Sequence, residues 1–254
     1  MKSLALLLPF LLSVPASAII NGETMKGTEP FAKAVVGLAR KVPEGGYHIF
    51  CSGSILNEHT IVTAAHCLFE RDGEIYAVFG LNEKSPDIQA RQLERKVVKE
   101  GYKNAHRNDD VDVLDISLAQ FRDPAPEGFK ALPFLEDENR LTEGATVLLA
   151  GYGFDDPVTP KGSGTLRYTF VQIFDAHKAR TEITTNEQRH GSCNIDSGGP
   201  GFITVGDRYF LWGATHNGSP GCVGEGVYTK VISYRDWIDG KLADTSSSNG
   251  WKSL

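Results

Sequence analysis

The sequence predicts an all-β protein of the barrel or sandwich class, arranged as two β-units. Short apolar or β-branched runs recur along the chain, and clusters rich in Gly and Pro separate them. A break falls near the middle. Residues 122–138 carry Pro124, Pro126 and Pro133, with strand-like runs on both sides, and read as an irregular connector.

The expected strands cover residues 34–38, 49–56, 61–64, 75–79, 146–149, 168–174, 209–212 and 226–231. Pro43-Glu44-Gly45-Gly46 and Gly162-Ser163-Gly164 are turn clusters between them. Only the end reads as helix: Ile232, Trp237, Ile238 and Leu242 recur at roughly helical spacing within 231–242. The stretch 245–254 is rich in Ser, Asn and Gly and is expected to be a loose tail. The expected organisation is one domain over 19–245, in two halves, with a tail over 246–254.

Residues 1–18 read as a secretory signal peptide. Met1-Lys2-Ser3 is a basic start, 4–14 is apolar except at Pro9 and Ser13, and Ala16-Ser17-Ala18 offers small residues for cleavage after Ala18. The run is too short for a membrane anchor, since spanning takes about 20 apolar residues. The mature protein is therefore expected to be soluble and either periplasmic or fully secreted. With 26 Lys and Arg against 32 Asp and Glu, the net charge of −6 excludes the basic face that a nucleic-acid binder needs.

Export changes how the cysteines read. Cys51, Cys67, Cys193 and Cys222 are an even count in an oxidising compartment, which suggests two disulfides. Spacing alone does not choose among the three pairings. No C-x-x-C pair suggests zinc, so neither metal nor cofactor is expected.

Three stretches carry chemistry: Thr63-Ala64-Ala65-His66-Cys67, Leu114-Asp115-Ile116-Ser117-Leu118 and Cys193-Asn194-Ile195-Asp196-Ser197-Gly198-Gly199-Pro200. A serine nucleophile needs a base for its hydroxyl and a carboxylate to orient that base. His, Asp and Ser occur here in that order. Each alone is weak, since an isolated His is usually structural and a lone Asp can cap a turn.

Together they resemble the chymotrypsin/trypsin family, with its Ala-His-Cys, Asp-Ile-x-Leu and Gly-Asp-Ser-Gly-Gly-Pro segments. Ala150-Gly151-Tyr152-Gly153 and Gly226-Val227-Tyr228-Thr229-Lys230-Val231 extend the likeness, which runs from Ile19 through the terminal helix. The resemblance implies two six-stranded Greek-key barrels with a C-terminal α-helix and an active site in the cleft between the barrels. It implies peptide-bond hydrolysis without cofactor, on protein or peptide substrates, by a monomer open to protein inhibitors. Ser197 would be the nucleophile, His66 the base and Asp115 its orienter, with activity rising as His66 loses its proton near pH 7. Asp109, Asp110 and Asp112 compete with Asp115, but only Asp115 precedes the Ile-x-Leu pattern. The family pairing joins Cys51 to Cys67 and Cys193 to Cys222.

The resemblance also makes Ile19 the mature start, whose α-amino group would pair with Asp196. Cleavage after Ala18 exposes Ile19 directly, so export itself is expected to create the active N-terminus. Ile195 departs from the family, which has Gly there. Its N–H and that of Ser197 would form the oxyanion hole, and a β-branched residue resists the backbone conformation Gly permits. That departure supports two rivals: a non-catalytic binding protein on a protease scaffold, and an esterase with poor amidase power. The specificity pocket would be lined by Gly191, Ser192, His216, Gly218 and Gly226. Gly191 stands where trypsin-like members place Asp, which argues against a Lys/Arg preference and leaves apolar, medium-sized or acidic side chains. His216 could instead be a strand residue packing near Asp115. His48, His59, His106, His177 and His190 show no ligand spacing.

Overall fold

The computed structural model describes residues 19–102, 114–156 and 161–254. The signal segment 1–18, His106, Asp109, Asp110 and Asp112 lie outside the described residues.

The first barrel is built from β2 (Val35–Lys41), β3 (Tyr47–Asn57), β4 (Thr60–Thr63), β5 (Tyr76–Phe79), β6 (Gln89–Val98) and β7 (Ser117–Phe121). The second is built from β8 (Thr146–Gly151), β9 (Arg167–Ala179), β10 (Glu182–Glu187), β11 (Pro200–Val205), β12 (Arg208–Gly218) and β13 (Gly224–Lys230). Around the first the neighbours run β2, β3, β4, β7, β6, β5; around the second, β8, β9, β10, β13, β12, β11. Both are closed and antiparallel, and the same winding order occurs twice. This is the expected pair of six-stranded Greek-key barrels, and full closure leaves no open sheet edge.

Sequence alternation decides which way each strand faces. In β9, Arg167, Thr169, Val171 and Ile173 are buried while Phe170, Gln172 and Phe174 face solvent. Each barrel fills its own interior: Leu38, Ile55, Leu68 and Phe79 in the first, Val147, Leu149, Trp212 and Tyr228 in the second. A third cluster, including Ile49, Val62, Leu148 and Phe202, joins the two barrels. The chain between β7 and β8 is irregular, with one 3-10 turn at Glu138–Arg140.

Two short strands cross between the halves. β1 (Glu23–Thr24), from the N-terminal segment, pairs with β9 of the second barrel. β14 (Lys252–Ser253), at the C-terminus, pairs with β6 of the first. The tail is therefore docked, contrary to the expectation of a loose end. Trp251 is buried and its indole N–H donates to the Lys241 carbonyl at 3.1 Å, while Lys241 Nζ donates to the Asn249 carbonyl at 2.7 Å. One buried aromatic supplies the apolar area that the surrounding Ser and Asn lack. The terminal helix, α2 (Arg235–Ala243), follows a 3-10 turn at Val231–Tyr234. Among the described residues, no helix is long and apolar enough to cross a membrane.

Candidate active site

β4 ends at Thr63, directly opposite Ser117 at the start of β7. The chain leaving β4 therefore meets the chain entering β7. It turns at once into α1 (Ala65–Leu68), where Ala65, Cys67 and Leu68 are buried and His66 alone stays partly exposed. A disulfide from Cys67 to Cys51 on β3 braces the turn from behind. Both sulfurs are engaged in that bond, so the grouping of Cys51, His66 and Cys67 offers no thiolate to a metal.

Asp115 faces this turn with its side chain fully buried. Its Oδ1 accepts from the His66 backbone N–H at 2.9 Å, and Oδ2 lies 2.8 Å from His66 Nδ1. Its carbonyl accepts from Thr229 Oγ1 of the second barrel at 3.2 Å. Burial pushes this carboxyl up, but the bonds from His66 and the nearness of His216 outweigh burial and hold it below the usual range.

Ser197 sits in a tight loop of the second barrel that reaches into the first. Ser52 N–H of β3 donates to the Ser197 carbonyl at 2.8 Å, and Gly198 N–H donates to Thr215 at 2.7 Å. Gly198 has φ 78°, and a Cβ there would come 2.0 Å from Thr63 Oγ1. Only glycine allows the loop to lie against β4, which is the physical content of Ser-Gly-Gly at this point. A disulfide from Cys193 to Cys222 ties the front of the loop. Both expected pairings are thus formed, each within one barrel.

Ile195 adopts φ 79°, the left-handed conformation that β-branched residues resist. The surroundings hold it there. The Asn194 carbonyl accepts from Phe154 N–H at 3.1 Å and the Ile195 carbonyl from Ser52 Oγ at 3.0 Å. Across a trans peptide the N–H opposes the carbonyl, so the Ile195 N–H is directed away from Phe154.

Ile19 is buried at 1 % exposure, and Ile20 forms a bridge with Gly191. Asp196 is buried and accepts from the N–H groups of Gly153 at 2.8 Å and Cys193 at 2.9 Å. Burial is the main reason its carboxyl is pushed up to about 7; nearby Glu187 adds to the rise, while the two N–H donors and Arg167 oppose it.

Two acids that the sequence did not single out belong to this region. Glu187 ends β10 with its carboxyl in the space between Gly191 and Gly226: a Cβ on either glycine would come within 2.3 Å of its oxygens. Thr185 Oγ1 and Tyr228 OH donate to Oε1, and Ser192 N–H and Oγ donate to Oε2. Burial raises the Glu187 pKa above the usual carboxylate range despite these four donors. Glu182 begins the same strand and bonds His216. His216 thus turns its ring to Asp115 and Glu182 rather than standing as a free pocket wall. Acids flanking the Thr-rich run of β10 give no sequence signal of burial, because that run was not recognisable as a strand.

Twin closed barrels with a buried carboxylate gripping a histidine beside a glycine-tight serine loop define the class of double-barrel serine hydrolases. The trypsin family model matches residues 19–238, and the chain belongs to that family of serine proteases. It is 28 % identical over 207 residues to snake venom serine proteinase 14 of Crotalus adamanteus, covering 76 % of this chain and 78 % of the relative. It is 26 % identical over 216 residues to kallikrein 1-related peptidase b24 of Mus musculus, covering 76 % and 80 %. It is 26 % identical over 246 residues to mouse tissue-type plasminogen activator, covering 83 % of this chain but only 42 % of that longer protein.

Proposed function

We propose that the protein is a secreted serine endopeptidase that cleaves peptide bonds through an acyl-enzyme, with His66, Asp115 and Ser197 as its triad. The grip of Asp115 on both the ring and the backbone of His66 carries this reading. That grip fixes the tautomer with the proton on Nδ1 and turns Nε2 outward as base. The Ser197 hydroxyl attacks the scissile carbonyl carbon while its proton passes to His66. The N–H groups of Ile195 and Ser197 take the oxyanion. His66 protonates the departing amine, then activates the water that releases the acyl group from Ser197. Metal and cofactor have no step in this scheme.

Signal-peptidase cleavage after Ala18 would free the Ile19 α-amino group to pair with Asp196, with no separate activation step. Support comes from the buried Ile19, its bridged neighbour Ile20, and an Asp196 carboxyl whose pKa burial raises toward neutral. Mass-spectrometric reading of the secreted N-terminus tests this, and a start other than Ile19 would sink it. The product would act as a monomer outside the cytoplasm or in a periplasm, on protein or peptide chains, and be open to protein inhibitors.

Gly191 at the pocket floor, with Ser192, Gly218 and Gly226, argues against an obligatory basic side chain. Glu187 favours a second reading, a preference for a basic side chain, since its carboxyl lies behind two of those glycines. Its four donors occupy its lone-pair positions, so a basic side chain reaching the carboxylate would have to displace one of them. Substrates with Lys, Phe, Leu or Glu before the cut, run on the parent and Glu187→Gln, separate the readings. A Lys preference that vanishes in the variant would establish the second.

The binding-protein rival depends on Ile195 disabling the oxyanion hole, and the Asn194–Phe154 bond weighs against a flipped peptide there. Fluorophosphonate labelling of the parent, absent in Ser197→Ala, is the expected result. No labelling of a folded chain starting at Ile19 would favour the rival. Ester and peptide substrates run side by side would expose a poor amidase.

A further inference from the structure

Asp115 is bracketed by two imidazoles. Oδ2 lies 2.8 Å from His66 Nδ1 and 3.6 Å from His216 Nε2, and the two rings are 6.4 Å apart. The other nitrogen of His216, Nδ1, is 2.9 Å from Glu182 Oε1. Four groups therefore run in line, acid alternating with imidazole: Glu182, His216, Asp115, His66.

The backbone builds this line deliberately. Thr215 pairs with Tyr228 and Asn217 with Val227, so His216 is the extra residue of a bulge in β12. Such a bulge re-aims a side chain out of the regular alternation. Glu182 stands opposite Thr229 on β13, the same threonine whose hydroxyl holds the Asp115 carbonyl. Glu182 and His216 are both mostly shielded, with side-chain exposures of 9 % for Glu182 and 18 % for His216.

We propose that Glu182 holds His216 as an imidazolium against Asp115, and that this fixed cation keeps His66 in its neutral, base-competent form at lower pH than Asp115 alone would allow. The inference rests on the triad reading and extends it. A buried carboxylate favours the protonated form of the imidazole it faces, and a cation on its other side opposes that pull. His216 is a positioning residue, acting on the reaction through Asp115. Burial alone would drive its proton off, but the bond to Glu182 and the charges of Asp115 and Glu182 outweigh burial and raise its pKa. Among the described residues, the titratable groups facing His216 are Asp115 ahead of β7, His66 on α1 and Glu182 on β10. Tyr102 also senses Asp115; burial and that charge push its phenol up, so it stays neutral.

The test is a nitrogen-15 NMR titration of the histidine rings in the intact protein, in Glu182→Gln and in His216→Gln, beside the pH profile of kcat/KM on a peptide ester. In the parent, His216 should titrate above the usual imidazole range. In His216→Gln, the His66 titration and the acidic limb should both move up by about one unit, a roughly tenfold loss on that limb with the plateau retained. Glu182→Gln should move them the same way by less, since it removes the anion along with the proton it holds. A parent His216 that is neutral by pH 6, or a His66 unmoved in His216→Gln, would overturn the proposal, and the first needs no variant to fold. Loss of thermal stability with an unmoved titration would likewise reduce His216 to packing. If the parent neither labels nor hydrolyses, the triad reading fails, while the ring titrations still report whether the four groups are coupled.

Discussion

Ile195 and Asp196 are adjacent and strained in different ways, one by backbone and one by charge. Ile195 keeps a left-handed conformation because two neighbours hold the carbonyls on either side of its N–H. Ile195→Gly should therefore change the rate of acylation by only about threefold, far less than the 10²–10³ that follows loss of an oxyanion donor. Burst kinetics with an activated ester measure it, and a large gain in the variant would mean the isoleucine peptide is misdirected in the parent. Asp196 has a raised folded pKa, so the folded chain retains a proton that the unfolded chain has already released. Stability of the chain with Ala18 still attached should then fall as pH rises from about 4 to about 7 and level off above that. Denaturant melts across that window, on this chain and on one beginning at Ile19, should show the steeper fall in the first, because Glu187, also raised by burial, contributes to both. The serine, histidine and aspartate motifs made these positions legible in the sequence. The left-handed Ile195 and the carboxyls of Glu182 and Glu187 were not legible, because their conformations and burial are imposed by other strands.

Among the elements, the serine loop and β4 leave little tolerance for change. Gly198→Ala would place a methyl 2.0 Å from Thr63 Oγ1 at a positive φ, so the loop must retreat. We expect about 2 kcal/mol or more of destabilisation and loss of fluorophosphonate labelling. Thermal melts and labelling on one sample measure both; a stable, labelled variant would show that the loop has slack. Strand legibility followed composition. β2, β3, β8 and β13 carry apolar or β-branched runs and were expected within a few residues. β6 was missed because Arg, Gln and Glu dominate it, and of its buried residues Leu93, Lys96 and Val97 one is a lysine whose ammonium donates to the Leu68 carbonyl. β10 was missed because Thr and Glu fill most of its buried positions, and no local pattern announces the bonds that hold Glu182, Thr185 and Glu187 inside. β11 begins inside the serine motif, where Pro and Gly read as a turn.

At the scale of the molecule, the repeated winding order gives two barrels, and the proposed triad draws on both. His66 and Asp115 come from the first, Ser197, Glu182 and His216 from the second. The docked C-terminus is part of that frame: Trp251→Ala removes a fully buried aromatic and should cost about 3–5 kcal/mol. A midpoint in denaturant unchanged by the substitution would mean the tail is dispensable. The sequence made the two halves legible through the prolines of the connector. It did not reveal the tail, since a single tryptophan among small polar residues gives no periodicity.

The crossing of the two termini has a consequence for what holds the halves together. β1 lies on the barrel it does not lead into, and β14 lies on the barrel far from it in sequence. Each disulfide closes within its own half. A single cut in the connector would thus yield two fragments with no covalent link, each wearing a strip of the other's wall. Such a pair is interlaced like clasped hands, and should co-migrate through a sizing column after nicking and part only when denatured.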